Sequence, residues 1–408
     1  MMGVLKLAHP KDLDLPDATF DCPDLTTFCR LGELGLEVTG QRLRPDRAVL
    51  ACRITDDDSW CRRCGEEGSP RDSVTRTLAH EPFGWRPTTL LVTIRRYRCA
   101  GCAHVWRRDT SRAAEPRVKL SRRALQWALE AIVCQHLSVA RVAEGLAVSW
   151  NTANNAVLTE GQRVLIADPV RFDGVAVIGV DEHVWRHTRC GDKYVTVIID
   201  LTPVRDKTGP ARLLDMVEGR SKKAFADWPQ HWRDGVDVVA MDGFSGFKTA
   251  TTEELPEAAT VMDPFHVVRL AGNALDECRR RVQLATRGHR GRKTDPLYAC
   301  RRNTVAAYRE PDRTKGRTMM AALITTLSSG VPKPLQELIT LGRTLKKRAA
   351  DVLAYFDRPG TSNGPTEAIN GRLEHLRGSA LGFRNLTNYI ARSLLETGGF
   401  RPQLHRQS

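Results

Sequence analysis

The sequence predicts a multidomain α/β protein. Three observations carry that reading: two CxxC pairs set in a strand-rich N-terminal stretch, a switch to a 3.6-residue apolar period from Leu120, and, after Pro169, apolar runs of strand length alternating with amphipathic helices. A chain of 408 residues, 41% of them apolar, has enough material for several cores. The boundaries read as 1–115, 116–168 and 169–408.

In the first region a probable strand, "VLACRITDDDSWCRRCGEEGSP", runs into Cys61 and Cys64, and a second, "TTLLVTIRRYRCAGCAHVWRR", into Cys99 and Cys102. Each pair is CxxC, and 34 residues separate them. A tight turn aims two thiolates to one side, and two such knuckles complete a tetrahedral site, so the four predict one structural Zn2+. Cys22, Cys29, Cys52, Cys134, Cys190, Cys278 and Cys300 have no such spacing and read as small core or surface residues. The N-terminus lacks a signal peptide's apolar core, and no run of about 18 apolar residues occurs. The expectation is a soluble cytoplasmic protein with reduced thiols and no membrane partner.

The second region, 116–168, reads as all-α. "SVARVAEGLAVSWNTANNAV" has the outline of a helix-turn-helix, with the turn at Gly145 and the second helix capped by Ser149. Trp150, Asn151, Thr152 and Asn155 would face outward, suited to groove or phosphate contacts. An ordinary helical hairpin gives the same pattern.

From Pro169 the predicted order is three strands, helix, strand, helix, strand, helix, which is that of an RNase H-like core. "VAVIGVDEHVW" would end its strand at Asp181 and "GVDVVAMDGFSGF" at Asp242, on neighbouring strands. Two such aspartates can share divalent cations, Mg2+ or Mn2+, with a third acidic residue from a later helix. Glu182 should point to the opposite side, Asp200 reads as a strand end and Asp263 as a helix cap, while His266 sits one turn into the next helix. The net charge is +14, and Arg269 to Arg348 holds 19 Lys/Arg against 6 Asp/Glu. That surplus favours a polyanionic partner, nucleic acid above all, with Arg279, Arg280, Arg281, Arg290, Arg292 and Lys293 as candidate contacts.

These residues match a known pattern. The cysteine module, "GVDEHVWRH", "VAMDGFSGF", "DPFHVVRLAGNALDE" and "SNGPTEAINGRLEHLRGSALGFRN" together resemble the ISL3-family insertion-sequence transposases over roughly Phe20 to Leu404. The resemblance implies that Asp181, Asp242 and Glu367 form a DDE triad holding two Mg2+ (or Mn2+) ions, with 269–359 as a helical insertion before the Glu helix. It also implies metal-dependent cleavage at transposon ends and strand transfer into target DNA. Partners would be double-stranded terminal inverted repeats and target DNA, bound by at least a dimer at the bacterial nucleoid. A catalytically silent DNA-binding regulator and a structure-selective nuclease are the alternatives.

The Glu367 helix has its own punctuation: Ser362, Asn363, Gly364 and Pro365 form a loop in which Asn363 can cap and Pro365 fits the first turn. A carboxylate there is favoured by the helix dipole in any case. Ile369 and Leu373 would pack the helix on the sheet, with Asn370 on the site's face.

Overall fold

The computed structural model describes residues 24–56, 58–188, 193–229, 233–287 and 295–405, with side chains for all of these but 285–287, 295–299 and 405. It is a mixed α/β structure with two five-stranded sheets. Contacts divide it into two compact units, one of residues up to Trp127 with Glu144–Val148, the other of Ala128–Ala143 with Ser149 onward.

In the first unit, helix α1 (Leu25–Phe28) starts on Asp24, whose carboxylate accepts from the Thr26 and Thr27 backbone N–H groups at 3.0 Å. Strands β1 (Leu36–Leu43), β2 (Ala48–Ile54), β3 (Gly68–Phe83), β4 (Arg86–Cys99) and β5 (Val105–Arg107) follow. Their order is β1-β2-β4-β3, with β5 on β4. β3 and β4 form a long antiparallel hairpin that closes at Phe83 and Arg86 over Gly84, whose φ of 62° suits glycine. Every second residue is buried, Leu50, Cys52 and Ile54 on β2 and Leu90, Val92 and Ile94 on β4. That is the period of a sheet with one covered face. Cys52 is a core residue as expected, and burial pushes its thiol up to about 12.

Helices α2 (Arg122–Val133), α3 (Val139–Leu146) and α4 (Trp150–Gly161) come next and divide between the two units. Gly145 is not the turn that its sequence context suggested. It lies inside α3, where a Cβ would stand 2.8 Å from the Trp127 ring, and the left-handed residue after the helix is Ala147, at φ 51°. Ser149 does cap α4, accepting from the Thr152 N–H at 3.2 Å.

The second unit's sheet contains β6 (Val177–Val184), β7 (Tyr194–Asp200), β8 (Arg212–Glu218), β9 (Val238–Met241) and β10 (Ala259–Met262), ordered β10-β9-β6-β7-β8. β6, β7 and β8 pair antiparallel, whereas β9 and β10 run parallel to β6. Parallel neighbours need crossovers. These are α6 (Lys222–Ala226) before β9 and α7 (Ser245–Glu254) before β10, and a one-turn α5 (Thr202–Arg205) follows β7. Ile178, Val180, Val239 and Met241 pack with Phe225, Trp228 and Phe247 on one face. By alternation Gly179, Asp181 and His183 belong to the other.

Helix α8 (Pro264–Arg287) opens the helical stretch, continued by α9 (Asp295–Arg309), α10 (Arg313–Ser329), α11 (Gln336–Lys347) and α12 (Ala349–Asp357). It has its own apolar core, including Leu275, Met320, Leu327, Leu341, Leu345 and Phe356. Helices α13 (Gly364–Ser379), α14 (Leu386–Thr397) and α15 (Arg401–His405) end the chain, with Ile369 and Leu373 of α13 buried as expected. No described helix is long and apolar enough to cross a membrane.

Candidate active site and metal cluster

Strand β6 does not stop at Asp181, as its sequence suggested. It continues to Val184, paired with Tyr194 of β7. What ends is its other partner: β9 finishes at Met241, level with Val180. Asp181 and Asp242 are therefore the next residues on two adjacent parallel strands, at the step where one ladder ends and the other goes on.

Glu367 arrives from the first turn of α13, and the structure shows what docks that turn. A Cβ on Gly179 would lie 2.5 Å from Asn363 Oδ1 and 2.7 Å from Thr366 Oγ1, so the helix start rests where β6 has no side chain. Asp263, buried after β10, accepts from the His266 N–H at 3.3 Å and caps α8 as expected. Its other oxygen accepts from Ser362 Oγ at 3.0 Å and the Asn363 N–H at 2.8 Å, which pins the loop before α13. Asn363 does not cap α13 with its side chain. That group is buried and accepts from the Thr366 hydroxyl, while Ser362 Oγ accepts from the Gly364 N–H at 3.1 Å. One turn beyond Glu367, Asn370 Nδ2 donates to Asp181 Oδ2 at 2.9 Å.

Burial first, and then the charges of Asp242, Glu182 and Glu367, push the Asp181 carboxyl up to about 7, against the pull of the Glu182 backbone N–H. Neighbouring carboxylates are answered by cations: Glu182 by Arg220 at 3.3 Å, Asp200 by Arg212 at 2.9 Å, Asp351 by Lys248 at 2.8 Å and Arg348 at 2.5 Å. Among the described residues Asp181, Asp242 and Glu367 have no Lys or Arg ion pair. His266 stands beside the Asp242 loop, where a Cβ on Gly243 would run into its Nε2. Burial lowers its pKa, and Arg269 donates to its Nδ1 at 3.0 Å.

The four cysteines make a tighter set. Sγ of Cys61 lies 3.6 Å from that of Cys102, Sγ of Cys64 lies 3.3 Å from that of Cys99, and all four fall within 4.8 Å of one another with no disulfide. Such a group can hold a metal ion. Burial raises the Cys61 thiol, but the Arg63 and Cys64 backbone N–H groups and the neighbouring thiols outweigh it and bring it to about 7. At Cys64 the Glu66 N–H pulls down, yet Cys99, Cys102 and burial drive the thiol up to about 12. The first thiolate opposes the next, and a bound cation would remove that conflict.

The remaining sequence candidates are spread out. Trp150, Asn151 and Asn155 are exposed on α4, whereas Thr152 is half-buried and bonded to Ser149. Arg281 is committed to a bidentate pair with Glu337 at 2.6 and 2.8 Å, Arg279 lies 3.6 Å from Asp276, and Arg280 is exposed. Arg290, Arg292 and Lys293 lie outside the described residues. Sequence reasoning missed Gly179 and the second role of Asp263. A glycine inside an apolar strand, two residues before a candidate aspartate, was the available signal for the first.

The model of the ISL3 DDE transposase family, described as "Transposase", matches residues 178–302 and 289–393, together more than half of the chain. The chain belongs to that family. Two curated relatives agree, both named "Transposase for insertion sequence element IS1557", from Mycobacterium tuberculosis strains CDC 1551 / Oshkosh and ATCC 25618 / H37Rv. Each is 25% identical over 337 residues, covering 67% of this chain and 71% of the relative. The protein is an insertion-sequence DNA transposase. A solved chain of the "Drosophila P element transposase strand transfer complex" is 9% identical with a TM-score of 0.37, over 66% of this chain and 91% of that one, a likeness too weak to bear on the fold. The transposase's family segment runs from β6 into α14 and so includes Asp181, Asp242 and Glu367.

Proposed function

We propose that Asp181, Asp242 and Glu367 are the DDE triad of this transposase, carried on an RNase H-like sheet interrupted by the basic helices between β10 and α13. What supports the reading is that the charges of Asp242 and Glu367 both act on the Asp181 carboxyl, and that among the described residues none of the three has a Lys or Arg ion pair in a chain of net charge +14. Carboxylate oxygens beside a phosphate are the donor set that Mg2+ or Mn2+ prefers. Two such ions held there would supply Lewis acidity to the attacking and the leaving oxygen of an in-line phosphoryl transfer. The chain's own contribution is positional. Asp181 and Asp242 are fixed by strand register, Glu367 by the docked start of α13, and the Asn370 amide sets the rotation of the Asp181 carboxylate. The same arrangement serves cleavage at the element's ends and attack by the freed 3′-hydroxyl on target DNA.

The cysteine cluster suits a structural Zn2+. A tetrahedral Zn–S4 site with bonds of about 2.3 Å has sulfur–sulfur edges of roughly 3.8 Å, close to the two separations given above. We assign recognition of terminal inverted repeats to this module and to α3–α4 as a helix-turn-helix, and phosphate binding to the basic helices. The active assembly holds two ends and is at least a dimer, working on nucleoid DNA in the bacterial cytoplasm.

The test uses purified protein, DNA carrying the element's own ends, and Mg2+ or Mn2+, with cleaved and joined strands mapped. Asp181→Ala, Asp242→Ala and Glu367→Ala should each remove cleavage by a factor of about a thousand or more while retaining end binding. Full cleavage by any of the three would sink the triad. Hydrolysis without joined products would turn the reading toward a nuclease.

A further inference from the structure

Within the second unit a cleft of about 790 Å³ lies between the C-terminal half of α13, the turn that follows it, α14 and the start of α4. Its charge is one-sided. Arg372, Arg384 and Arg392 line it against one carboxylate, Glu396, and Glu396 is already held by Arg372 at 2.9 Å and His136 at 3.0 Å.

Arg392 is the unusual member. It is 5% exposed, Glu396 is the one charge that acts on it, and among the described residues its side chain has no hydrogen bond or ion pair, with Nη1 the nitrogen that is fully buried. A guanidinium cannot shed its proton to escape this. A buried charge without a partner is costly in the free protein, and an anion entering from solvent would satisfy it. The lining also has exposed aromatic and apolar members: Trp150 is 52% exposed, and Leu381, held at φ 54°, is 97% exposed. A basic groove with an open aromatic face is the pattern that binds a nucleic-acid strand, phosphate on one side and base on the other. Arg372 lies five residues beyond Glu367 on α13, about 8 Å along the axis at 1.5 Å per residue.

We propose that this cleft holds one strand of the DNA substrate, with a phosphate on Arg392 and a base against Trp150. The site needs no carboxylate ligand, so it stands or falls separately from the triad, and Asp181→Ala should leave it intact.

The experiment titrates the full chain, in EDTA, with a fluorescent single-stranded oligonucleotide from the element's end, beside thermal melts of each variant. Arg392→Met should weaken binding at least tenfold and flatten the slope of log affinity against log salt by about 0.7, one phosphate contact on a single strand. Its melting temperature should hold or rise, because an unpaired buried charge has been removed. Trp150→Ala, on the surface, should weaken binding about tenfold or more at unchanged stability, and Trp150→Phe should restore most of it. Unchanged affinity in both Arg392→Met and Trp150→Ala overturns the proposal. So does a fall in the melting temperature of Arg392→Met that accounts for its lost affinity, since Arg392 would then be structural.

Discussion

The cysteine cluster and the carboxylate site are assembled in opposite ways. Cys61 and Cys64 precede β3, Cys99 ends β4 and Cys102 follows it, so one hairpin whose register pairs Gly68 with Cys99 brings all four together. The carboxylates come from β6, the end of β9 and the first turn of α13, with a folded helical body between the last two. The first site is a local product of chain geometry, and the second is a product of tertiary docking. They should therefore fail differently, the first by unfolding with loss of metal and the second by misalignment within an intact fold.

The largest effect should come from Cys99→Ser. Binding at such sites is worth about 10 kcal/mol or more and is coupled to folding, so the proposed zinc site predicts that this variant binds no zinc and loses the hydrogen-exchange protection of β3 and β4. The second unit should keep its protection. Retention of one zinc per chain by Cys99→Ser would break the comparison, since the module would not depend on the four-cysteine set.

A middle-sized effect tests docking. Gly179→Ala places a methyl against Asn363 and Thr366, a local overpacking of about 1–3 kcal/mol. A shift of about 1 Å at the start of α13 would cost roughly a hundredfold in strand cleavage, with zinc content and end binding unchanged. Asn370→Ala removes one hydrogen bond to Asp181 and leaves the docking, so its loss should be nearer tenfold. If Gly179→Ala cleaves as well as the parent, the glycine is not what seats the Glu helix.

The same contrast explains how much was legible in the sequence. The CxxC spacing reports a local geometry, and the four cysteines do meet. Asp181 and Asp242 stand out because apolar runs precede them, and strand order brings them to one level. The sequence did not show that β6 continues past Asp181, because the step depends on β9 being shorter than its neighbour. Nor did it show that Asp263 reaches across to the loop at Ser362, a hydrogen bond between residues 99 apart. The turn was misplaced at Gly145 because glycine also serves close packing, here against Trp127, and Ala147 took the left-handed conformation instead.

The smallest effect is a pH dependence that separates the two regions. Each has a buried histidine that burial brings down to about 4: His80, whose Nδ1 meets Ser121 Oγ at 2.8 Å, and His183, whose Nε2 meets the Tyr389 hydroxyl at 2.8 Å. For His183 the charges of Glu374 and Arg377 act in opposite directions. The folded value lies below the unfolded one near 6.5, so the folded state prefers the neutral ring. Its stabilisation is complete above about pH 6.5 and is lost as the pH falls toward 4, at about 1.4 kcal/mol per unit, or roughly 2 kcal/mol by pH 5. His183 shares a face of β6 with Gly179 and Asp181, so its protonation should loosen the Tyr389 contact on the side where α13 docks. His80 has no such connection and should affect only the hairpin unit. Hydrogen exchange of β6 and α14 between pH 7 and pH 5 should show a loss of protection that His183→Gln removes and His80→Gln leaves. An equal loss in both variants would mean that protonation of the carboxylates, and not of His183, governs acid stability around the site.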